Sequence, residues 1–246
     1  KDILRFHAVY WPAFLLAANL KPPKRVYGHG WILSGDEKMS KSKGNILDPL
    51  EIINIYGLDS LRYYLLKEVS FGNDGNISKE KLENCINSDL ANNFGNLCQR
   101  VLLFAKKNCS SNIPKHEFNN DDLAILNSMT NLDKIRSTID NQNINQYMSF
   151  VVDCLFLSNK YFNDQEPWNK KDNKLRLSTI VYTSIELIRK ISILLYPVMP
   201  QTSVKVLNTF NIQEKEINIS SLQNNEILKE KSKINNLDIL FKKFEK

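Results

Sequence analysis

All eight glycines of this chain fall between Gly28 and Gly95, and none follows. Glycine takes a left-handed backbone without steric cost and lets the chain approach other groups closely. The distribution divides the chain into a loop-rich first part, suited to small-molecule chemistry, and a longer remainder expected to be helices joined by polar links without glycine turns. Of the 246 residues, 42% are hydrophobic and 24% charged. That is globular composition, which excludes wholesale disorder, collagen and a coiled-coil rod. The length allows one large domain or two small ones, each with its own core. Lys and Arg number 33 against 27 Asp and Glu, a formal charge of +6, which suits an anionic partner.

Cys85, Cys98, Cys109 and Cys154 lack the close pairing of a zinc site and are too scattered to build a fold from disulfides. Reduced thiols and a cytoplasmic location are expected. No apolar run approaches the roughly 20 residues that a membrane helix needs. The stretch at 191–196 stops at Pro197, so no membrane partner is expected. The start, Lys1-Asp2-Ile3-Leu4-Arg5, has the charge of a signal peptide but not its apolar region, and no Met precedes it. The chain reads as a fragment.

Ile86, Leu90, Phe94, Leu97, Val101 and Phe104 recur every three or four residues and mark one apolar helix face. Asn119-Asn120-Asp121-Asp122 before Leu123 signals a helix start. Further helices are expected at 147–162 and 175–196, the second stopped by Pro197 and Pro200. A polar stretch at 208–225 follows, then a short amphipathic helix towards the C-terminus. In the first part, 2–18 reads as a helix broken or kinked near Pro12. Short strands are expected at 25–27 and 31–33, around Gly28-His29-Gly30. Pro49 opens one helix, to Tyr56, and another covers 59–68.

The stretch from Ser34 to Asn45 carries most of the chemistry. Lys38, Lys41 and Lys43 are interleaved with Ser40 and Ser42 and flanked by Gly35 and Gly44. Ammonium groups are compact charges suited to phosphate oxygens. Glycines at both ends let such a loop swing onto a substrate. Negative charge building on a leaving pyrophosphate is stabilised by such cations. On charge alone the stretch reads equally as a solvated basic loop.

Lys38-Met39-Ser40-Lys41-Ser42 resembles the signature loop of the class I aminoacyl-tRNA synthetases. Gly28-His29-Gly30-Trp31 before it, and Gly44-Asn45-Ile46-Leu47-Asp48-Pro49 and Tyr56-Gly57-Leu58-Asp59-Ser60-Leu61-Arg62-Tyr63-Tyr64 after it, follow the order of the methionine, leucine, isoleucine and valine group. The residues from Lys67 to Ser78, the run Asp89-Leu90-Ala91-Asn92-Asn93-Phe94-Gly95-Asn96-Leu97, and Asp164-Gln165-Glu166-Pro167-Trp168 resemble the methionyl-tRNA synthetase family specifically. The resemblance covers nearly the whole chain, strongly to about Pro200. A leucine, isoleucine or valine enzyme, or a tRNA-binding module without catalytic function, remain the alternatives.

The resemblance implies a ligase that forms methionyl-adenylate from methionine and ATP, carried with Mg2+ as substrate, releases pyrophosphate, and passes the methionyl group to its tRNA. Lys38 and Lys41 would be catalytic contacts to the ATP phosphates, within an ATP site that also takes in Asp2, Gly28, His29, Gly30, Met39, Ser40 and Ser42. Ile3 and His7 would line the methionine pocket, where a thioether gains from aromatic contact. Without the resemblance, His29 is a turn or core histidine, and His7, Trp11 and Phe14 are core.

Asn96 and Arg100 stand four apart, one turn from each other on a helix. An amide and a guanidinium can read unstacked base edges, and Trp168 can offer a stacking surface, the mix by which single-stranded RNA loops are recognised. The resemblance assigns Asn96, Arg100 and Trp168 to the CAU anticodon of tRNA(Met). Read alone, Arg100 is a surface salt-bridge residue and Trp168 a cap on the helices. Lys106, Lys107, Lys160, Lys170, Lys171 and Lys174 would attract the RNA backbone.

A His-x-Gly-His type motif is absent from these residues, as are the first nucleotide-binding half and the inserted connective domain in which any zinc would sit. The chain alone is therefore expected not to form adenylate and to carry no metal site, and the lack of a visible C-terminal OB-fold leads to the expectation of a monomeric form of the enzyme. The expected fold is mainly α: residues 1–48 form the end of a Rossmann-type α/β catalytic domain, 49–85 a stem-contact or connecting region, and 86–246 a helical-bundle anticodon-binding domain.

Overall fold

The computed structural model describes residues 3–35, 37–39 and 47–244, with the Lys38 side chain outside that description. Phe6–Tyr10 winds as a π-helix and runs straight into α1 (Trp11–Ala17). Pro12 accounts for the fault: it has no N–H, so the helical ladder cannot close around it. The kink expected there takes this form. No residue from Phe6 to Ala17 is buried, and Trp11 and Phe14 are 44% and 71% exposed. His7, Trp11 and Phe14 are therefore not core, which corrects the plain reading of them.

A three-stranded sheet follows, in the order β2-β1-β3, from β1 (Ile32–Ser34), β2 (Glu37–Lys38) and β3 (Gly75–Ile77). β1 pairs antiparallel with β2, Leu33 opposite Lys38, and parallel with β3, Leu33 opposite Asn76. The lysine-rich stretch thus starts as a hairpin rather than as open loop, with Gly35 at φ 61° after the first strand. The strand expected at 25–27 does not form. Contacts there come from the ring instead, Tyr27 stacking on Phe71 at 5.0 Å and 4°. β3 was not expected.

Asp48 accepts from the Leu50 N–H at 2.8 Å and starts α2 (Pro49–Tyr56) with proline in its first turn. Gly57, at φ 85°, turns the chain directly into α3 (Leu58–Glu68). Ser78 caps α4 (Lys79–Cys85), which continues through a π-helical stretch, Ile86–Gly95, into α5 (Asn96–Asn108). The apolar face read from the sequence holds along this rod: Ile86, Leu90, Phe94, Leu97 and Val101 are buried, and Phe104 packs against the core edge.

The remaining helices are α6 (Asn120–Ser128), α7 (Leu132–Asp140), α8 (Ile144–Asp164), α9 (Lys174–Leu195) and α10 (Pro200–Thr209). Asn119 and Asp122 form a reciprocal capping box at the start of α6. Every residue of α9 from 179 to 195 is buried, because α5, α6, α8 and α10 all pack against it. Pro197 ends α9 as expected, but Pro200 starts α10 instead of stopping a helix.

Turns in the glycine-free part do adopt positive φ: Ser110, Ser111, Gln142, Glu166, Asn211 and Lys231 all do so. These corners are made without glycine, by residues that take the left-handed region at some steric cost.

Burial of charge on α9 is resolved by a tail. Arg189 donates to both oxygens of Glu186, at 2.7 and 2.5 Å, and to the backbone carbonyls of Ser221 and Asn224 at 3.1 and 2.9 Å. Lys190 donates to the carbonyls of Leu126 and Leu222. Beyond Asn224 the expected amphipathic helix is absent. The segment runs extended, pairing Ile113 with Ser232 and Lys231, until Phe244 exchanges two hydrogen bonds with Asn87 and lies 4.7 Å from the Tyr56 ring. Many of its backbone groups are taken by partners distant in sequence, such as Ser111, Thr209, Gln99 and Asn87, which competes with a helical ladder.

Candidate functional site

At the first end, Asp2, Ser40, Lys41 and Ser42 lie outside the described residues. The Lys38 backbone belongs to β2, and Met39 is half-buried against the core. Gly30 has a structural reason to be glycine: a Cβ there would come within 2.1 Å of the Asn73 carbonyl and 2.4 Å of the Asp74 nitrogen. The Trp31 N–H donates to the Asp74 carboxylate at 2.8 Å in the same turn. Gly28 differs, with only a Leu4 methyl at 3.6 Å from such a Cβ. His29 is exposed, within 6.4 Å of the Phe71 ring and with Nδ1 2.9 Å from the Gly30 carbonyl. Ile3 and His7 are joined by a 3.0 Å contact from His7 Nδ1 to the Ile3 carbonyl. His7 also faces Trp11 edge-on at 6.5 Å. Both residues are exposed, Ile3 at 61%.

At the other end Arg100 and Trp168 meet at one side chain, with Asn96 one helical turn from Arg100. Asn96 is exposed at the start of α5, with Arg100 one turn on. Arg100 donates to the Asn163 amide oxygen at 2.6 Å, and its guanidinium carbon lies 5.5 Å from the Phe162 ring centre. The same ring receives Trp168 edge-on at 6.1 Å. Trp168 is 40% exposed. Among the described residues Arg100 has a neutral amide partner and no carboxylate, which corrects the reading of it as a salt-bridge residue.

Trp168 stands on a short 3-10 turn, Pro167–Asn169, reached through Glu166 at φ 45° and ψ 58°. A non-glycine residue held in that region costs on the order of 1–3 kcal/mol and persists only where its surroundings fix it. Behind the turn, Asp122 is fully buried and accepts two hydrogen bonds from Arg176, at 2.6 and 3.0 Å, and one from the Tyr161 hydroxyl at 2.5 Å. Burial works to raise the Asp122 carboxyl, but the Arg176, Tyr161 and Asn119 hydrogen bonds outweigh it and hold it below its ordinary value. Burial likewise pushes the Tyr161 hydroxyl well up, with Asp122 adding to the effect.

Sequence reasoning missed Phe162 and Asn163, which it counted only as a helix end. The available signal was their place one turn before Pro167-Trp168. Among the described residues no group of three or more His, Cys, Asp or Glu side chains is placed to hold a metal, and no helix is long and apolar enough to cross a membrane. The four cysteines are free thiols.

Residues 1–102 match the family described as tRNA synthetases class I (M), and residues 115–246 that described as anticodon binding domain of methionyl tRNA ligase. The chain is 44% identical over 211 residues to the methionine–tRNA ligase of Brucella suis, covering 85% of this chain and 41% of that protein. It is 41% identical over 221 residues to that of Mycobacterium leprae, covering 87% and 41%. Among solved structures, Mycobacterium tuberculosis methionyl-tRNA synthetase in complex with methionyl-adenylate superposes with a TM-score of 0.92 at 36% identity, over 98% of this chain and 48% of that one. The apo form of the same enzyme gives 0.89 at 32% identity, over 100% and 48%. The chain thus spans 41% of the length of these curated relatives.

Proposed function

Because the chain belongs to the methionyl-tRNA synthetase family, we propose that it serves in a methionine–tRNA ligase, supplying the ATP-phosphate loop and the anticodon-binding bundle. Methionine, ATP carried with Mg2+, and tRNA(Met) bearing CAU are the substrates. A methionine carboxylate oxygen attacks the α-phosphorus of ATP, the bond to the bridging oxygen breaks, and pyrophosphate leaves. A hydroxyl of the terminal tRNA ribose then attacks the methionyl carbonyl, and AMP leaves. Lys38 and Lys41 neutralise charge on the departing phosphates. Asp2 meets the adenosine ribose. Gly28, His29 and Gly30 lie against the adenine, while Met39, Ser40 and Ser42 complete the loop. Ile3 and His7 border the methionine side chain.

The domain division follows: 1–48 the end of the catalytic domain, 49–85 the stem-contact region, 86–246 the anticodon-binding domain. The enzyme works as a monomer in the cytoplasm.

The observation that carries this reading is the meeting of Arg100 and Trp168 at one Phe162 ring, with Asn96 a turn away. A free guanidinium edge, an exposed amide and a half-exposed indole suit unstacked bases. Filter binding of the chain to an anticodon stem-loop bearing CAU, against loops altered at each base, tests it. Preference for CAU is expected, and equal binding to all loops overturns the recognition end. The catalytic end is tested on the full-length enzyme by amino-acid-dependent exchange of pyrophosphate into ATP. Exchange with isoleucine and not methionine would refute the substrate.

A further inference from the structure

The turn that carries Trp168 is restrained on both flanks, and the rear restraint comes from groups outside the candidate interface. In front, the Asn169 N–H donates to the Glu166 carbonyl at 2.9 Å and the Asn169 amide to the Glu166 carboxylate at 3.1 Å. Behind, the Gln165 side-chain oxygen accepts from Arg176 at 2.5 Å. That same guanidinium is fixed by its two hydrogen bonds to Asp122. A planar guanidinium held at two points has its orientation set, so its remaining N–H is aimed and not merely available.

We propose that Gln165 and Arg176 are positioning residues for Trp168. The buried Asp122 carboxylate orients Arg176, and Arg176 holds Gln165, the residue immediately before the left-handed corner at Glu166. Without that hold, the one strained residue between α8 and Pro167 is the joint about which the indole would swing. Its direction is therefore inherited from the start of α6, a helix that touches no candidate ligand. The consequence for RNA rests on the reading of Trp168 as a base-stacking residue, while the positioning itself does not.

The test uses a Trp11→Phe, Trp31→Phe background, in which Trp168 is the sole indole of the three in the chain. Acrylamide quenching and fluorescence anisotropy of Trp168 are measured without RNA. Gln165→Met keeps side-chain length and removes the acceptor. Quenching is expected to rise and anisotropy to fall, with an unchanged unfolding midpoint. Gln165→Glu restores an acceptor and should restore both readouts. Arg176→Lys, which cannot hold Asp122 and Gln165 from one plane, should loosen Trp168 as Gln165→Met does.

Affinity for the CAU stem-loop should fall about tenfold in Gln165→Met, within what one base–aromatic stack is worth. Unaltered quenching and anisotropy would overturn the proposal. So would a fall in the unfolding midpoint that accompanies the loosening, since Gln165 would then support the bundle at large. Loosening without any loss of stem-loop affinity would leave the positioning intact and remove Trp168 from the RNA site.

Discussion

Arg100 donates a 2.6 Å hydrogen bond to the side-chain oxygen of Asn163, an acceptor that carries no charge. The guanidinium is thereby held in place with no carboxylate partner among the described residues, and it spreads over the Phe162 ring, which also meets Trp168 and Phe104. An Arg over an aromatic face gains about 0.5–1 kcal/mol at exposed sites. That modest hold orders the side chain while leaving donors free.

Replacing Trp168 by alanine should weaken binding to the CAU stem-loop by roughly 1–3 kcal/mol, the worth of one base–aromatic stack. Pyrophosphate exchange in the full-length enzyme should be unaffected. Phe162→Leu should weaken the same binding although Phe162 is itself 2% exposed, because both partners lose their common surface. Filter binding measures both, and full affinity in either variant would remove that residue from the interface.

The two glycines flanking His29 should respond oppositely. Gly30→Ala drives a methyl into the Asn73–Asp74 backbone and should destabilise the fold by about 1–3 kcal/mol, read by chemical denaturation. Gly28→Ala meets only a side-chain methyl and should leave stability unchanged. If backbone at Gly28 lies against adenine, that variant raises the KM for ATP in the full-length enzyme. An unchanged KM would confine Gly28 to a turn.

Breaking the buried pair on α9 should be severe. Glu186→Gln leaves Arg189 charged and without its counter-ion at 0% exposure, and roughly 3–5 kcal/mol of stability should be lost. Replacing both residues by leucine or methionine should recover only part, because the Ser221 and Asn224 carbonyls lose their donor as well. Denaturant midpoints of the two single variants and the double variant decide this. Full recovery in the double variant would show those carbonyls to be unimportant.

Stability should fall as pH rises above about 9. Burial pushes the Cys85 and Cys154 thiols up to about 12 and Cys109 to about 11, from an ordinary value of 9.0, and pushes Cys98 up as well. A group protonated in the fold and ionised when unfolded contributes stability that is complete below its unfolded value and lost as pH climbs to its folded one. Lys190 works the other way. Burial, reinforced by Arg189 and opposed by Glu186, lowers its ammonium from 10.5 to about 8, so its share of stability grows between those values. Four thiols outweigh one ammonium, and the melting temperature should decline from pH 9 to 11. Lys190→Met should steepen the decline, and a flat profile would contradict the assignment.

Helix positions were legible wherever apolar spacing or a cap fixed them. The 86–104 face and the Asn119-to-Asp122 start lie where the residue pattern puts them, because burial and capping are local in sequence. Lost were features that depend on distant partners. β3 exists because β1 passes beside it. The tail is extended because Ile113, Asn87 and Gln99 occupy its backbone groups. Pro200 reads as a stop in isolation, and becomes a start because the Thr202 N–H finds Asp59 at 2.6 Å. Asn96, Arg100 and Trp168 could be named from motifs, whereas Phe162 between them follows only from the packing of α8 against the rod.

The return of Phe244 to Asn87 and Tyr56 also fixes where a mechanical load on the chain would be felt. Tension on the last described residues is delivered to Asn87, in the rod between α4 and α5, and to Tyr56 at the end of α2, and not to α10, which is nearer in sequence. A pull at Phe244 is therefore felt by the rod that carries Asn96 and Arg100, and by the end of α2, before it reaches α10.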